Sequence, residues 1–287
     1  MDAQQKEYRF LLILPFTLPP TAKYRLRSMS GAKETSLMNY ESLRPCLANV
    51  EWDLHAGPLA PHGDWPVETR EEFEMVGAAR LPIVREACES GKYNGIVLLG
   101  GGDPGFLAAR EIGHRFGVPV TSCGHSQMHL ASMLGDKFGV IDISEAHNIR
   151  MRDLVVQYRF IDRCVSIRNV NFPWPRPPYT DPYRVEEEKE KALRGDKSDM
   201  IEAALQESIA SIEEDGAEAL ILGCSASFWM RPILESRLKE AGWDIPVLEG
   251  YRSALEHLKL LVNLGYDASG MAFPLDHPRK WRRRKAI

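Results

Sequence analysis

The chain has 287 residues, of which 44% are hydrophobic and 26% charged, and a formal net charge of −4 at pH 7. That length holds one large or two smaller globular domains, and we expect two. The charge argues against a general nucleic-acid binder, and no apolar run approaches the roughly 20 residues of a membrane-spanning helix.

In chain order, FLLIL at 10–14 is a short apolar run ended by Pro15, the pattern of a buried parallel strand. A helical pattern follows at 34–47, an alternating strand at 50–55 and a long helix at 71–90. The scheme then repeats with a strand at 96–99, a helix at 104–116, a strand at 118–121, a helix at 126–134 and a strand at 138–143. Strands alternating with helices at this spacing predict parallel sheets covered on both faces.

Between 168 and 199 five prolines precede a run of charges, which reads as a long extended loop entering an exposed helix. Such a loop is either a lid over a site or a plain insertion. Helix resumes at 200–215, followed by a strand at 219–222, a helix at 229–241, a strand at 246–248 and a helix at 253–264. The closing cluster of Arg279, Lys280, Arg282, Arg283, Arg284 and Lys285 reads as a solvated end rather than an anion or RNA site.

The N-terminus MDAQQKEYRF lacks the basic-then-apolar order of a signal peptide, so a cytoplasmic protein is expected. The five cysteines are odd in number and contain no C-x-x-C pair, as reduced thiols would. Cys46, Cys88 and Cys164 fall inside predicted elements and read as structural.

Two stretches share one plan. YNGIVLLGGGDPGF and AEALILGCSASF each give an apolar strand, a small-residue turn and a helix, and each continues through a Pro-Val strand to a second helix ending in Leu-Gly. The repeat predicts two similar α/β lobes with parallel sheets related by a pseudo-twofold axis. We expect residues 1–118 plus 248–287 in the first lobe and 119–247 in the second, which would carry the 168–199 insertion. Ligands of parallel sheets bind beyond the carboxyl ends of the strands, so both turns should face one cleft. At such a turn Cys224 would sit at a helix start, where unpaired N–H groups favour a thiolate able to act as nucleophile or base. The plainer reading is a small buried side chain. Asp103, before Pro104, reads as a helix N-cap.

GGGDPGF, LILGCSASF, the Pro-Val strands and LVNLG together resemble the cofactor-independent aspartate/glutamate/hydantoin racemase superfamily, especially its hydantoin-racemase branch. The resemblance runs from about 96 to 265 and includes the N-terminal strand. It implies proton transfer at the carbon next to a carboxylate or cyclic imide, by two cysteines, one per lobe, without metal or organic cofactor. It also implies a small-molecule partner, no nucleic acid or membrane, and a homo-oligomer. Thr17 ends the segment where the family carries Asn-Pro-Asn-Thr to hold a carboxylate, but Leu14 and Phe16 replace both asparagines. The family's first cysteine corresponds to Gly100 by the DPG anchor, or to Gly101 by the internal repeat. A symmetric pair of thiols is thereby excluded at these positions.

Two enzyme readings follow. In the first, a racemase or isomerase keeps Cys224 as its thiol, and His125, near a glutamate common in hydantoin-type relatives, stands in for the missing group. In the second, the chain resembles arylmalonate decarboxylase, which also pairs a first-lobe glycine with a second-lobe cysteine and needs one thiol. A third possibility is a binding or assembly protein that has lost the chemistry. The expected cleft is lined by Thr17, Gly100, Gly101, Ser122, His125, Cys224 and Ser225.

Overall fold

The computed structural model describes residues 7–22, 31–177, 184–274 and 280. The first part runs β1 (Tyr8–Ile13), α1 (Lys33–Ser36), α2 (Tyr40–Leu47), β2 (Val50–His55), α3 (Arg70–Glu89), β3 (Gly95–Leu98), α4 (Phe106–Arg115), β4 (Val120–Ser122) and α5 (Cys123–Leu134). The second runs β5 (Phe138–Asp142), α6 (Glu145–Gln157), β6 (Cys164–Asn169), α7 (Arg184–Leu193) and α8 (Asp199–Glu213), then β7 (Ala219–Leu222), a 3-10 helix (Ser225–Met230), α9 (Arg231–Glu240), β8 (Val247–Leu248) and α10 (Gly250–Leu264).

The strands form two parallel four-stranded sheets of identical order, β2-β1-β3-β4 and β6-β5-β7-β8. The internal repeat is therefore a repeat of topology. Central strands β3 and β7 are buried at every position, which is why they read as unbroken apolar runs.

The chain leaves the first sheet later than expected. Val120–Ser122 pairs with Ile96–Leu98, so a boundary at 118/119 assigns β4 to the wrong lobe. Leu248 likewise pairs with Ile221 and belongs to the second sheet. The misplacement has a physical origin in the crossing helices. Helix α5 follows a first-sheet strand but packs on β5 and β7, whereas α10 follows a second-sheet strand and packs on β3 and β4. The two helices also pack on each other. One continuous core results, with Phe10, Leu12 and Val97 of the first lobe joined to Ile141, Leu220 and Leu255.

The predicted 34–47 helix is two helices, α1 and α2, and the 3-10 turn Ser225–Met230 precedes α9 where one helix was expected. Residues 178–183 of the proline-rich segment lie outside the described residues. So does the basic terminal cluster, Lys280 apart.

Candidate active site

A pocket of about 470 Å³, the open space at its mouth included, lies at the carboxyl ends of the strands. Its first-lobe wall is Pro15 and Phe16 after β1, Gly100, Gly101 and Gly102 after β3, and Phe73 of α3. Cys224 and Ser225 after β7 and His147 of α6 form the opposite wall.

The glycines are there because the walls touch. A Cβ on Gly101 would lie 1.7 Å from the Gly223 carbonyl oxygen and 3.1 Å from Cys224 Cα. Gly100 has φ +108, and a Cβ there would press on Pro15 at 2.8 Å. No side chain, thiol included, fits either position. Beneath the turn, buried Arg80 gathers the carbonyls of Ile13 (2.6 Å), Leu99 (3.1 Å) and Pro104 (3.2 Å), fixing the ends of β1 and β3 together. Burial lowers this guanidinium to a pKa of about 10.

Cys224 is 5% exposed and leads the 3-10 helix, whose first turn is held by Ser227 N–H and Oγ donating to the Cys224 carbonyl. Beside its sulfur stands His147, three residues after the Ser144 N-cap of α6. His147 Nδ1 donates to Asp142 Oδ2 at 2.7 Å, and Asp142 Oδ1 accepts from the Ile143 N–H at 2.8 Å. Burial opposes charging the imidazole, but the Asp142 carboxylate and then the Cys224 sulfur outweigh it and hold the ring's pKa well above its ordinary value. Asp142, His147 and Cys224 thus form a buried acid–imidazole–thiol line.

Of the residues expected in the cleft, Gly100, Gly101, Cys224 and Ser225 line it. Thr17, Ser122 and His125 do not. Thr17 is taken up by backbone pairing with the 58–60 loop, so Phe16 lines the pocket instead. Ser122 is completely buried beside the Asp103 carboxylate. His125 lies in the first turn of α5 and turns away from Cys224, its ring packed among Phe106, His129 and Tyr158. Burial, then His129, Arg110 and His257, push its pKa down to about 2, and it lines a different pocket.

Asp103 also departs from expectation. Gly105 is the N-cap residue of α4 and makes no side-chain cap. The Asp103 carboxylate instead accepts from the Gly124 (2.9 Å) and His125 (2.7 Å) N–H groups at the start of α5, and from Tyr158 Oη (3.0 Å).

Trp174, from the proline-rich segment, lines the pocket. Two residues on, Arg176 donates to both carboxylate oxygens of Glu72 at 2.8 and 2.9 Å. Glu72 also closes the capping box of α3 with Thr69. Burial would raise the Glu72 pKa, but the Arg176 bonds and the Thr69 and Glu68 N–H groups bring it to about 2. The stretch from Trp174 to Arg176 is therefore strapped to the first lobe beside the cleft.

The family described as Asp/Glu/hydantoin racemase matches residues 62–258, which contain both turns and α6. The chain belongs to this family. Over 192 residues, 66% of this chain and 68% of the other, it is 31% identical to a hydantoin racemase of Pseudomonas sp. (strain NS671). An allantoin racemase from Klebsiella pneumoniae shares its fold at a TM-score of 0.65 and 21% identity, covering 96% of this chain and 97% of that one. A cysteine-relocated mutant of arylmalonate decarboxylase aligns at a TM-score of 0.55 and 12% identity over 90% and 92% of the two chains.

In this racemase-family chain, sequence reasoning missed Asp142, His147 and Trp174. The signal for the first two was VIDISEAH, a buried strand ending in Asp with Ser three residues before His, which is a helix cap that aims the histidine back at the strand end.

Proposed function

We propose that the chain is a racemase or isomerase transferring a proton at a carbon next to a carboxylate or a cyclic-imide carbonyl. Cys224 is its acid/base, and no metal or organic cofactor is used. The observation that carries this reading is the Asp142–His147–Cys224 line facing the glycine turn across a cleft with apolar walls. The sulfur takes the α-proton, the C–H electron pair moves into the adjacent carbonyl, and backbone N–H groups of the glycine turn and Ser225 stabilise the enolate oxygen. His147, charged beside the sulfur, supports its negative charge and can replace the proton.

Among the described lining residues, the first lobe contributes none that ionises. Protein-derived protons therefore reach the enolate from one wall. Racemisation requires the planar intermediate to turn within the pocket or to take its second proton from water. The same one-sidedness favours a second reading, decarboxylation of a malonate-type acid. There carbon dioxide leaves, the bond electrons remain as the enolate, and the Cys224 thiol protonates the carbon.

Proton NMR in deuterated water with 5-substituted hydantoins, amino acids, hydroxy acids and substituted malonates tests both, comparing wild type with Cys224→Ala. Exchange of the α-proton that falls about 10²- to 10⁴-fold in the variant supports the racemase or isomerase. Loss of carboxylate with deuterium uptake at the same carbon supports the decarboxylase. Silence from every substrate supports a binding protein that retains the fold alone.

A further inference from the structure

A second concavity, about 730 Å³ with its open mouth, lies away from the cleft between α4, α5 and α10. Arg110, His125, His129 and His257 line it, and Met133 and Leu260, both exposed, form an apolar rim. Two of its buried nitrogens lack a partner. Arg110 Nε is buried with no acceptor, and the guanidinium rests on the faces of Phe106 (5.6 Å) and Phe273 (4.7 Å). Buried His125 Nδ1 also has no partner, while its Nε2 lies 3.0 Å from His129 Nε2, a contact that one proton satisfies. Ser126 Oγ and His257 Nδ1 are 3.0 Å apart.

The acidic groups nearby are committed elsewhere. Asp267 pairs with His114 at 2.8 Å, Tyr158 donates to Asp103, and Asp103 caps α5. Burial and the neighbouring cations lower the pKa of His125 to about 2 and of His257 to about 4, and lower that of His129 as well. A negative ligand would reverse that repulsion. A cation fits poorly beside Arg110, and among the described residues no three His, Cys, Asp or Glu side chains converge as metal ligands.

We propose that this pocket binds an organic carboxylate carrying an apolar body, its head between Arg110 and the histidines and its body against Met133 and Leu260. The site is separate from Cys224 and does not depend on the chemistry proposed there. Binding takes up a proton on the histidine cluster, so affinity falls as pH rises.

Calorimetric titration of the whole chain with hexanoate tests this, with inorganic phosphate as an anion lacking the apolar body. The expected result is one hexanoate per chain, bound more tightly at pH 6 than at pH 8 and more tightly than phosphate. Binding should weaken about tenfold or more in Arg110→Gln and in His129→Gln and stay unchanged in Cys224→Ala. His129 is exposed, so its replacement leaves the fold in place even if loss of Arg110 does not. Binding that survives both pocket variants, binding abolished by Cys224→Ala, or no saturable binding at about 10 mM overturns the proposal.

Discussion

Within the Asp142–His147–Cys224 line, the imidazole stands between the carboxylate and the sulfur. Asp142→Asn keeps a hydrogen-bond acceptor for Nδ1–H and removes the charge that raises the His147 pKa. The expected outcome is a turnover–pH profile whose His147-dependent limb moves to lower pH, a readout that loss of packing alone would not produce. Stability moves in the same direction. A histidine whose folded-state pKa is raised stabilises fully below its unfolded value near 6.5 and loses that contribution as pH rises through the folded value. Urea titrations of His147→Gln should therefore lose the alkaline decline of wild type, and an unchanged decline would show that another group causes it.

Elements bring these residues together, and their ends carry the energetics. Helix α10 begins at Glu249, whose carboxylate caps it by accepting from the Tyr251 (2.8 Å) and Arg252 (2.9 Å) N–H groups. Burial outweighs the cap and raises its pKa from 4.5 to about 7. The folded state therefore binds the extra proton, and stability declines as pH rises between those two values, by about 1.4 kcal/mol for each pH unit crossed. Glu249→Gln keeps a capping oxygen without the charge. It should match wild type near pH 4.5 and exceed it at pH 8 by on the order of 3 kcal/mol in denaturant titrations. The stretch beside the cleft is tested at its anchor. Arg176→Ala takes the guanidinium from the buried Glu72 carboxylate and leaves it the Thr69 and Glu68 N–H groups, at a cost of up to about 3 kcal/mol, and should raise KM more than it lowers kcat as Trp174 loses its hold.

At the scale of the molecule, the repeat of strand, small turn and helix was legible because central parallel strands are apolar at every position and their turns must be small. The same logic made Gly101 and Cys224 visible. Helix α6 was not, since its charged and amide residues run round most of its circumference, and His147 was hidden with it. His125 misled for the opposite reason. It comes three residues after the end of β4, a first-sheet strand, but Asp103 captures the first turn of α5, and the ring lines a different pocket. Position also separates the cysteines: Cys224 lines the pocket, whereas Cys123 lies behind the glycine turn, 3.7 Å from the Leu98 carbonyl, with its pKa raised well above that of a free thiol by burial. Iodoacetamide should therefore label Cys224 and leave Cys123 intact in the folded chain, as peptide mapping would read.

The exchange of α5 and α10 between the sheets has a consequence for traffic. Each lobe is clasped by the other's terminal helix, and the shared core would have to break for the lobes to swing apart like jaws. The doorway must then be cut in the upholstery rather than the frame. Entry that leaves both lobes in place would have to come through movement of the short stretch bearing Trp174, which Arg176 ties to Glu72.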